Sequence, residues 1–363
     1  MEKEMIVHYE GKPCYKIIFE NTFERLPEEL KKMGYSEKTR LCIITDSNVA
    51  ALFLQEAVHV LEKEFGKISY FVFHAGEEQK NLDTIQLIYE KLIEEQFDRK
   101  DLLIALGGGV TGDMCGFAAS TYLRGIDFVQ VPTTLLSQVD SSIGGKTGVD
   151  FKQYKNMVGA FYQPKLVYMN LSVLKHLPEE HFCGGMGEVL KHGLIKDQEY
   201  FRWLCEHHKE IRERKTEYLH EMIYRSCNIK RTVVENDPKE KGERALLNFG
   251  HTAGHAIEKL SDFKLIHGYC VALGIVAASF LSVRYGDLAE AEYQEIRHGL
   301  ELFGLPCRIS LPMSGEDILN ASKKDKKMEA GKIKFILLNR IGNAYINKNV
   351  TDNEIQTAIQ EIL

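Results

Sequence analysis

The stretch LLIALGGGVTGDMCG, residues 102–116, joins a short apolar run to a cluster of glycines. The run has the length of a buried strand, and the glycines stop it before a segment that can begin a helix. Gly107, Gly109 and Gly112 stand in a G-x-G-x-x-G frame. Glycines there let the backbone approach a pyrophosphate, and the helix N-terminus adds free N–H groups. The motif therefore predicts a phosphate-binding turn, for a dinucleotide or for another phosphate ligand.

Strand and helix signals alternate on both sides of this turn. Apolar runs predict further strands over residues 40–49, 68–76 and 127–134, and helical spacing occupies residues 48–65 and 81–97. The N-terminal residues 5–20 alternate around a Gly-Lys-Pro turn and predict a hairpin. Strands that alternate with helices imply right-handed crossovers and a parallel sheet. This half of the chain is predicted to be a Rossmann-like α/β domain.

The length of the chain, 363 residues, favours two domains. From about Leu171 the pattern becomes mostly helical, with one possible hairpin over residues 331–350. We therefore predict a parallel-sheet domain over residues 1–170 and a mostly α-helical domain over residues 171–363. The net charge of −6 argues against nonspecific nucleic-acid binding, which needs a basic excess.

The cysteines and the apolar runs indicate the compartment. Eight cysteines are scattered without a C-x-x-C pair, which predicts reduced thiols rather than a disulfide framework. The N-terminal residues lack the apolar core of a signal peptide, and no apolar run is long enough to cross a bilayer. We expect a cytoplasmic protein that binds no membrane.

Three histidines lie close together in ALLNFGHTAGHAIEKLSDFKLIHG, residues 245–268. His251 and His255 are four residues apart, so they share a face if the segment is helical, and His267 follows. Glu188, in GGMGEVLKHGLI, is a carboxylate in an apolar helical frame and needs a partner. These residue types suggest a metal site with an open position. An anion pocket and a helix with incidental histidines remain alternatives, and the spacing does not match the H-E-x-x-H of zinc proteases.

A third cluster lies in residues 131–161, where charged and polar side chains surround glycines. Its candidates, with the neighbouring Arg124, are Asp140, Lys146, Lys155 and Asn156. Lysines beside a Gly-Gly turn suggest an anion site, and a loosely ordered loop is the alternative. The GGKT segment is not a P-loop, because Asp140 stands where the first glycine is required. From charge alone, the basic run Lys323–Lys327 predicts a solvated loop.

Together, these clusters resemble the 3-dehydroquinate synthases of the sugar-phosphate cyclase superfamily. The matching stretches are residues 107–150, 155–164, 185–195, 244–258, 267–268, 324–327 and 331–338. The resemblance implies an NAD-binding domain, a helical metal-binding domain and a homodimer. It also implies conversion of 3-deoxy-D-arabino-heptulosonate 7-phosphate to 3-dehydroquinate and phosphate, with NAD consumed and regenerated within one turnover.

The resemblance implies a role for each matching residue. The metal ligands, for zinc or cobalt, would be Glu188, His251 and His267. The substrate phosphate would meet His255, Lys146, Asn156, Asn248 and one of Lys326 and Lys327. The substrate carboxylate would meet Lys230 and Arg244, and its hydroxyls would meet Asp140 and Lys191. Arg124 would reach the neighbouring subunit's site. NAD would contact Asp46, Glu77, Lys80, Gly108, Gly109, Asp113, Thr133, Thr134 and Lys155.

Other functions are also possible at this point. The nearest is another cyclase, such as 2-deoxy-scyllo-inosose synthase or a sedoheptulose-phosphate cyclase. A metal-dependent polyol dehydrogenase would release NADH at each turnover and would not need so many phosphate and carboxylate clamps. A nucleotide-sensing protein that kept the fold would have lost the metal ligands or the lysines, which this sequence retains. Tyr269 departs from the family, which often has Glu after the metal-binding His-Gly, and we interpret it as drift. Glu258 is predicted to be an ordinary helix-face charge.

Overall fold

The structure is a computed structural model that describes residues 3–152, 154–262, 264–325 and 335–363. The chain separates into two compact units, residues 1–177 (unit 1) and residues 178–363 (unit 2).

Unit 1 is built on a seven-stranded sheet within its described residues. The sheet strands are β1 (Glu4–Tyr9), β2 (Lys12–Glu20), β3 (Arg40–Asp46), β4 (Lys67–Phe73), β5 (Leu102–Gly107), β6 (Asp127–Pro132) and β9 (Leu166–Asn170), and β7 (Lys146–Phe151) and β8 (Tyr154–Phe161) form a separate hairpin. The helices are α1 (Leu26–Lys32), α2 (Ser47–Val49), α3 (Gln55–Glu62), α4 (Leu82–Glu94) and α5 (Gly109–Thr121). The strand order is β1-β2-β9-β6-β5-β3-β4.

Every pair in this sheet is parallel except β1 with β2, so the predicted parallel-sheet fold and the N-terminal hairpin are confirmed. Two features were not predicted. Strand β2 extends the sheet by pairing with β9, and β9 itself is a buried five-residue apolar segment. A segment that short carries no periodicity that distinguishes a strand from buried helix.

The opening glycine motif lies where β5 ends and α5 begins. Strand β5 is buried along its whole length, because the sheet carries an apolar cluster on each face. A Cβ on Gly107 would lie 2.3 Å from Thr111 Oγ1, and one on Gly112 would lie 2.6 Å from Gln130 Oε1. Glycine is therefore required here by packing as well as by any ligand.

The β7–β8 hairpin replaces the loosely ordered loop that was one interpretation of residues 131–161, and that interpretation is wrong. Gly148 and Gly159 are paired across the hairpin, and a Cβ on Gly159 would lie 2.2 Å from the Thr147 carbonyl oxygen. These two glycines allow the close approach of the two backbones in the hairpin.

Unit 2 is mostly helical, as predicted. Its helices are α6 (Glu179–Lys196), α7 (Gln198–Glu206), α8 (His208–Arg212), α9 (Thr216–Asn236), α10 (His251–Leu260), α11 (His267–Arg284), α12 (Glu290–Leu302), α13 (Gly315–Asp325) and α14 (Asp352–Gln360), and β10 (Phe335–Arg340) with β11 (Asn343–Asn347) forms the expected hairpin. The expectation that no apolar run is long enough to cross a bilayer is wrong for α11, which is long and apolar enough by length and composition alone, but 72% of this helix is buried within the structure. It is a core helix of this unit.

Candidate functional site

Glycines bring the three helices of the histidine cluster into backbone contact. A Cβ on Gly268, in the first turn of α11, would lie 1.7 Å from the Gly184 carbonyl oxygen of α6. A Cβ on Gly274 would lie equally close, 1.7 Å, to the carbonyl oxygen of Gly250, which precedes α10. Because no side chain separates these backbones, Glu188 on α6 comes within reach of histidines that are more than sixty residues away in the chain.

Glu188 stands at the centre of this cluster. Its Oε1 atom lies 3.5 Å from His251 Nε2 and 3.6 Å from His267 Nε2. These separations exceed those of ordinary N–H···O hydrogen bonds. They fit ligands at about 2.0–2.1 Å from one tetrahedral ion, whose donor atoms are about 3.4 Å apart. The Oε1 atom is also buried and accepts no hydrogen bond from the described residues. The donor set therefore fits a divalent metal.

Lys191 determines the charge of this carboxylate. Its ammonium group donates to Glu188 Oε2, and both side chains are almost fully buried. Burial alone would raise the pKa of Glu188, but the Lys191 ammonium and then the two histidines hold the pKa well below its usual range. Burial, followed by the charge of Lys191, holds the pKa of His251 well below its usual value. Glu188 is thus ionised and His251 neutral, which are the states that bind metals.

His251 is further fixed by its second nitrogen. Nδ1 lies 3.1 Å from the Phe249 carbonyl oxygen, which turns Nε2 toward Glu188. His255 lies in the same cluster, with its ring centroid 5.0 Å from that of His251 and 5.8 Å from that of His267. The nearest nitrogens of the three rings are all within 4.8 Å of one another. The resemblance implied that His255 contacts the substrate phosphate and is not a metal ligand. Because the three rings lie so close together, this difference in role stays a prediction.

The other predicted substrate residues of unit 2 occupy different environments. Arg244 is buried and donates to the Pro238 carbonyl oxygen at 2.7 Å, and Lys230 is buried on α9. Asn248 is exposed and donates to Glu240 Oε1 at 3.0 Å. The remaining two candidates, Lys326 and Lys327, lie outside the described residues.

Unit 1 presents a polar edge at the carboxyl ends of its parallel strands. The buried hydroxyls of Thr45, at the end of β3, and Thr133, after β6, have no hydrogen-bond partner among the described residues. The Thr133 N–H donates to the Gly107 carbonyl oxygen at 3.0 Å, which joins the ends of β5 and β6. Ligands of open parallel sheets bind at this edge. Unsatisfied buried hydroxyls there fit a polar ligand such as a dinucleotide.

The glycine turn forms part of the same edge. A Cβ on Gly108 would lie 3.2 Å from Thr134 Cγ2, and one on Gly109 would lie 3.2 Å from Ser141 Oγ. Asp46, at the end of β3, accepts from the backbone N–H of Asn48 at 2.9 Å and so caps α2. It therefore has a structural role in addition to the predicted contact with the nucleotide.

Lys80 connects several predicted unit 1 residues. It is buried, and its Nζ donates to Asp113 Oδ2 at 2.7 Å and to Asn156 Oδ1 at 2.6 Å. Lys155 pairs with Glu77 at 3.4 Å. Burial raises the pKa of Asp113, and the charge of Lys80 offsets only part of that rise. The structure thus brings together these five residues, which come from three separate segments of the sequence.

We expect Asp113→Ala to destabilise unit 1 and to weaken NAD binding. It would leave the Lys80 ammonium buried without its nearest carboxylate, which costs about 3 kcal/mol. Urea unfolding measures the first effect and NAD titration the second. Asp98→Ala, a change of the same type outside the predicted site, is the control. Wild-type stability and NAD affinity in Asp113→Ala would contradict this role.

Three predicted residues lie toward the surface of unit 1. Arg124 and Lys146 are exposed and Asp140 is partly buried. Arg124 has a left-handed backbone, with φ of 67°, in the turn that follows α5.

Two residues that were not among the predicted site residues take part in these arrangements. Asp150 Oδ1 accepts from the Asn156 N–H at 2.7 Å, and the Asp150 N–H donates to the Lys80 carbonyl oxygen at 2.8 Å. Glu258 is not the ordinary helix-face charge that we predicted. It is 5% exposed, and its Oε2 lies 3.3 Å from His267 Nδ1. The contact depends on where α11 begins relative to α10, which helical periodicity does not specify.

Known proteins match this chain over most of its length. The family models described as "3-dehydroquinate synthase N-terminal" and "3-dehydroquinate synthase C-terminal" match residues 70–184 and 185–328. The 3-dehydroquinate synthase of Ruminiclostridium cellulolyticum is 42% identical over 342 residues, 94% of each chain.

Solved structures of sugar-phosphate cyclases share the fold of this chain. A 2-deoxy-scyllo-inosose synthase in complex with carbaglucose-6-phosphate, NAD+ and Co2+ has a TM-score of 0.90 at 25% identity, covering 99% of this chain and 100% of that one. The 2-epi-5-epi-valiolone synthase of Streptomyces hygroscopicus subsp. jinggangensis, with NAD+ and Zn2+ bound, has a TM-score of 0.88 at 26% identity, covering 99% of each chain. With a glutamate–histidine cluster that fits a metal and a sheet edge that fits a dinucleotide, this chain belongs to the 3-dehydroquinate synthase family.

Proposed function

We propose that this chain converts 3-deoxy-D-arabino-heptulosonate 7-phosphate to 3-dehydroquinate and phosphate, with Glu188, His251 and His267 as metal ligands. The observation that carries the assignment is the approach of both Nε2 atoms to Glu188 Oε1, at 3.5 and 3.6 Å. When bound, the metal would supply Lewis acidity at a substrate hydroxyl, and NAD would supply a reversible hydride acceptor.

The side chains of unit 2 would bind and orient the substrate. The substrate is anionic at both ends, and unit 2 buries two cations, Lys230 and Arg244, that we assign to its carboxylate. The planar guanidinium of Arg244 suits two parallel hydrogen bonds to a carboxylate. Within unit 2, His255 and Asn248 are assigned to the phosphate and Lys191 to the hydroxyls. The roles that the resemblance implies for Lys146, Asn156 and Asp140 of unit 1, toward the phosphate and the hydroxyls, stay predictions.

Phosphate release tests this function and separates it from its rivals. The purified enzyme with NAD and Co2+ should release phosphate from the heptulosonate phosphate without net NADH formation. Glucose 6-phosphate, the control substrate for a 2-deoxy-scyllo-inosose synthase, should release no phosphate. A polyol dehydrogenase would accumulate NADH instead. Chelation by EDTA should abolish turnover, and Zn2+ or Co2+ should restore it. Phosphate release only from glucose 6-phosphate would overturn the proposal.

We also propose that the protein is a homodimer in which Arg124 reaches the active site of the partner subunit. Two large apolar side chains of unit 1 are exposed, one directly before Arg124 in the sequence and one at the end of β8. Leu123 is 42% exposed and Phe161 is 57% exposed. The two segments are joined by Tyr162, whose hydroxyl donates to the Ile126 carbonyl oxygen at 3.0 Å. Exposed apolar surface of this kind is typical of interfaces and supports a subunit contact beside Arg124.

We expect a heterodimer of two inactive variants to be active. Arg124→Ala and His267→Ala are each predicted to be nearly inactive as homodimers. A heterodimer isolated with two different tags would contain one site that has both an intact His267 and a partner Arg124, so it should show about half of wild-type activity. An inactive heterodimer would show that Arg124 acts only within its own subunit.

We also propose a cytoplasmic location. All eight cysteines lie in the described residues and are free thiols, which suits a reducing compartment. Cell fractionation tests this, and recovery in a secreted fraction would overturn it.

A further inference from the structure

Glu258 is a buried carboxylate that the proposed mechanism does not use. It lies on α10, seven residues after His251, and its side chain is 7% exposed. Its Oε2 atom lies 3.3 Å from His267 Nδ1. Burying a carboxylate costs free energy unless it is paired, so its position needs an explanation.

Stability of α10 does not explain this carboxylate. The helix ends at Leu260, so Glu258 lies in its last turn, where the helix dipole disfavours a negative charge. The neighbouring Ser261 hydroxyl bonds to the backbone carbonyl of Glu258, at 2.7 Å, and not to its side chain. The contact of this carboxylate that points toward the metal site is the one with His267.

The imidazole of His267 lies between two carboxylates. Its Nε2 lies 3.6 Å from Glu188 Oε1, and its Nδ1 lies 3.3 Å from Glu258 Oε2. A carboxylate at Nδ1 keeps the proton on that nitrogen and leaves the Nε2 lone pair for the metal. His251 has the same arrangement, with the Phe249 carbonyl oxygen 3.1 Å from its Nδ1. In each proposed histidine ligand, an oxygen atom thus lies within 3.3 Å of Nδ1, the nitrogen that faces away from Glu188.

We propose that Glu258 is a positioning residue of the metal centre. It accepts a hydrogen bond from His267 Nδ1–H, which fixes the tautomer and the direction of the ring, and its charge makes Nε2 a stronger ligand. This inference rests on the proposed role of His267 as a ligand.

Cobalt binding by the intact protein tests the inference. Glu258→Gln keeps the size of the side chain but removes its charge, and Glu258→Ala removes both. Competition with a chelator should show Co2+ binding weakened by about 10–100-fold in both variants. The visible absorption bands of bound Co2+, which depend on ligand geometry, should shift. Glu29→Gln is the matched control, because Glu29 is also buried but pairs with Arg25 in unit 1. Its Co2+ affinity and spectrum should equal those of wild type.

The results distinguish failure of this inference from failure of the proposed metal site. Wild-type Co2+ affinity and spectrum in Glu258→Gln would overturn the inference, even if the variant were less stable. Failure of the wild-type protein itself to bind one Co2+ would overturn the proposed metal site instead. Nitrogen-15 NMR of zinc-loaded wild type avoids any folding defect of the variants. It should show His267 protonated at Nδ1, and protonation at Nε2 would contradict the inference.

Discussion

Glu188→Gln should abolish metal binding and lower turnover by about 1,000-fold or more, because Lewis-acid stabilisation of several kcal/mol is lost. It should also destabilise the metal-free protein. The substitution leaves the Lys191 ammonium buried without its carboxylate partner, and removing one member of a buried ion pair costs about 3–5 kcal/mol. Metal analysis, the phosphate-release assay and urea unfolding in EDTA measure the three effects.

A double variant separates the loss of metal from the loss of stability. In Glu188→Gln/Lys191→Met the unpaired ammonium is absent, so most of the stability should return while metal binding stays lost. His267→Ala leaves the Glu188–Lys191 pair in place and should lose metal with a smaller loss of stability. If Glu188→Gln retained one metal per subunit and turned over normally, Glu188 would not be a ligand.

Gly268→Ala should have the second large effect, although alanine adds a single methyl group. That methyl would lie 1.7 Å from the Gly184 carbonyl oxygen, so α6 and α11 must separate. Overpacking costs about 1–3 kcal/mol where side chains can adjust, and here the obstacle is backbone, so we expect a loss of about 3 kcal/mol or more. Because His267 begins α11, the separation should also disrupt the metal site.

Gly66→Ala is the control for this prediction. A Cβ on Gly66 has the Glu37 carbonyl oxygen as its nearest neighbour at 3.8 Å, an ordinary contact, so the substitution should be nearly neutral. Urea unfolding and Co2+ titration of both variants provide the measurement. Wild-type stability in Gly268→Ala would show that α6 and α11 tolerate a wider spacing than the structure has.

Sequence pattern predicted the type of each unit, because local periodicity records which face of a segment is buried. The apolar run Leu102–Leu106 and the glycines after it were enough to predict a buried strand, a tight turn and a helix. Motif resemblance then selected the candidate ligands. It did so without any physical account of why Glu188 should meet His251 and His267.

Tertiary structure alone decided how those side chains meet. The contact between Glu188 and the histidines depends on two backbone crossings, at Gly184–Gly268 and Gly250–Gly274, that join segments distant in the chain. Glu258 was predicted to be an ordinary helix-face charge, because a helical pattern does not reveal which neighbour covers a face. The sequence by itself therefore determined the α/β and helical classes of the units and supplied the metal-binding residue types. Packing between distant segments decided which side-chain atoms of the metal site lie close together, because their separation depends on how closely the helix backbones approach each other.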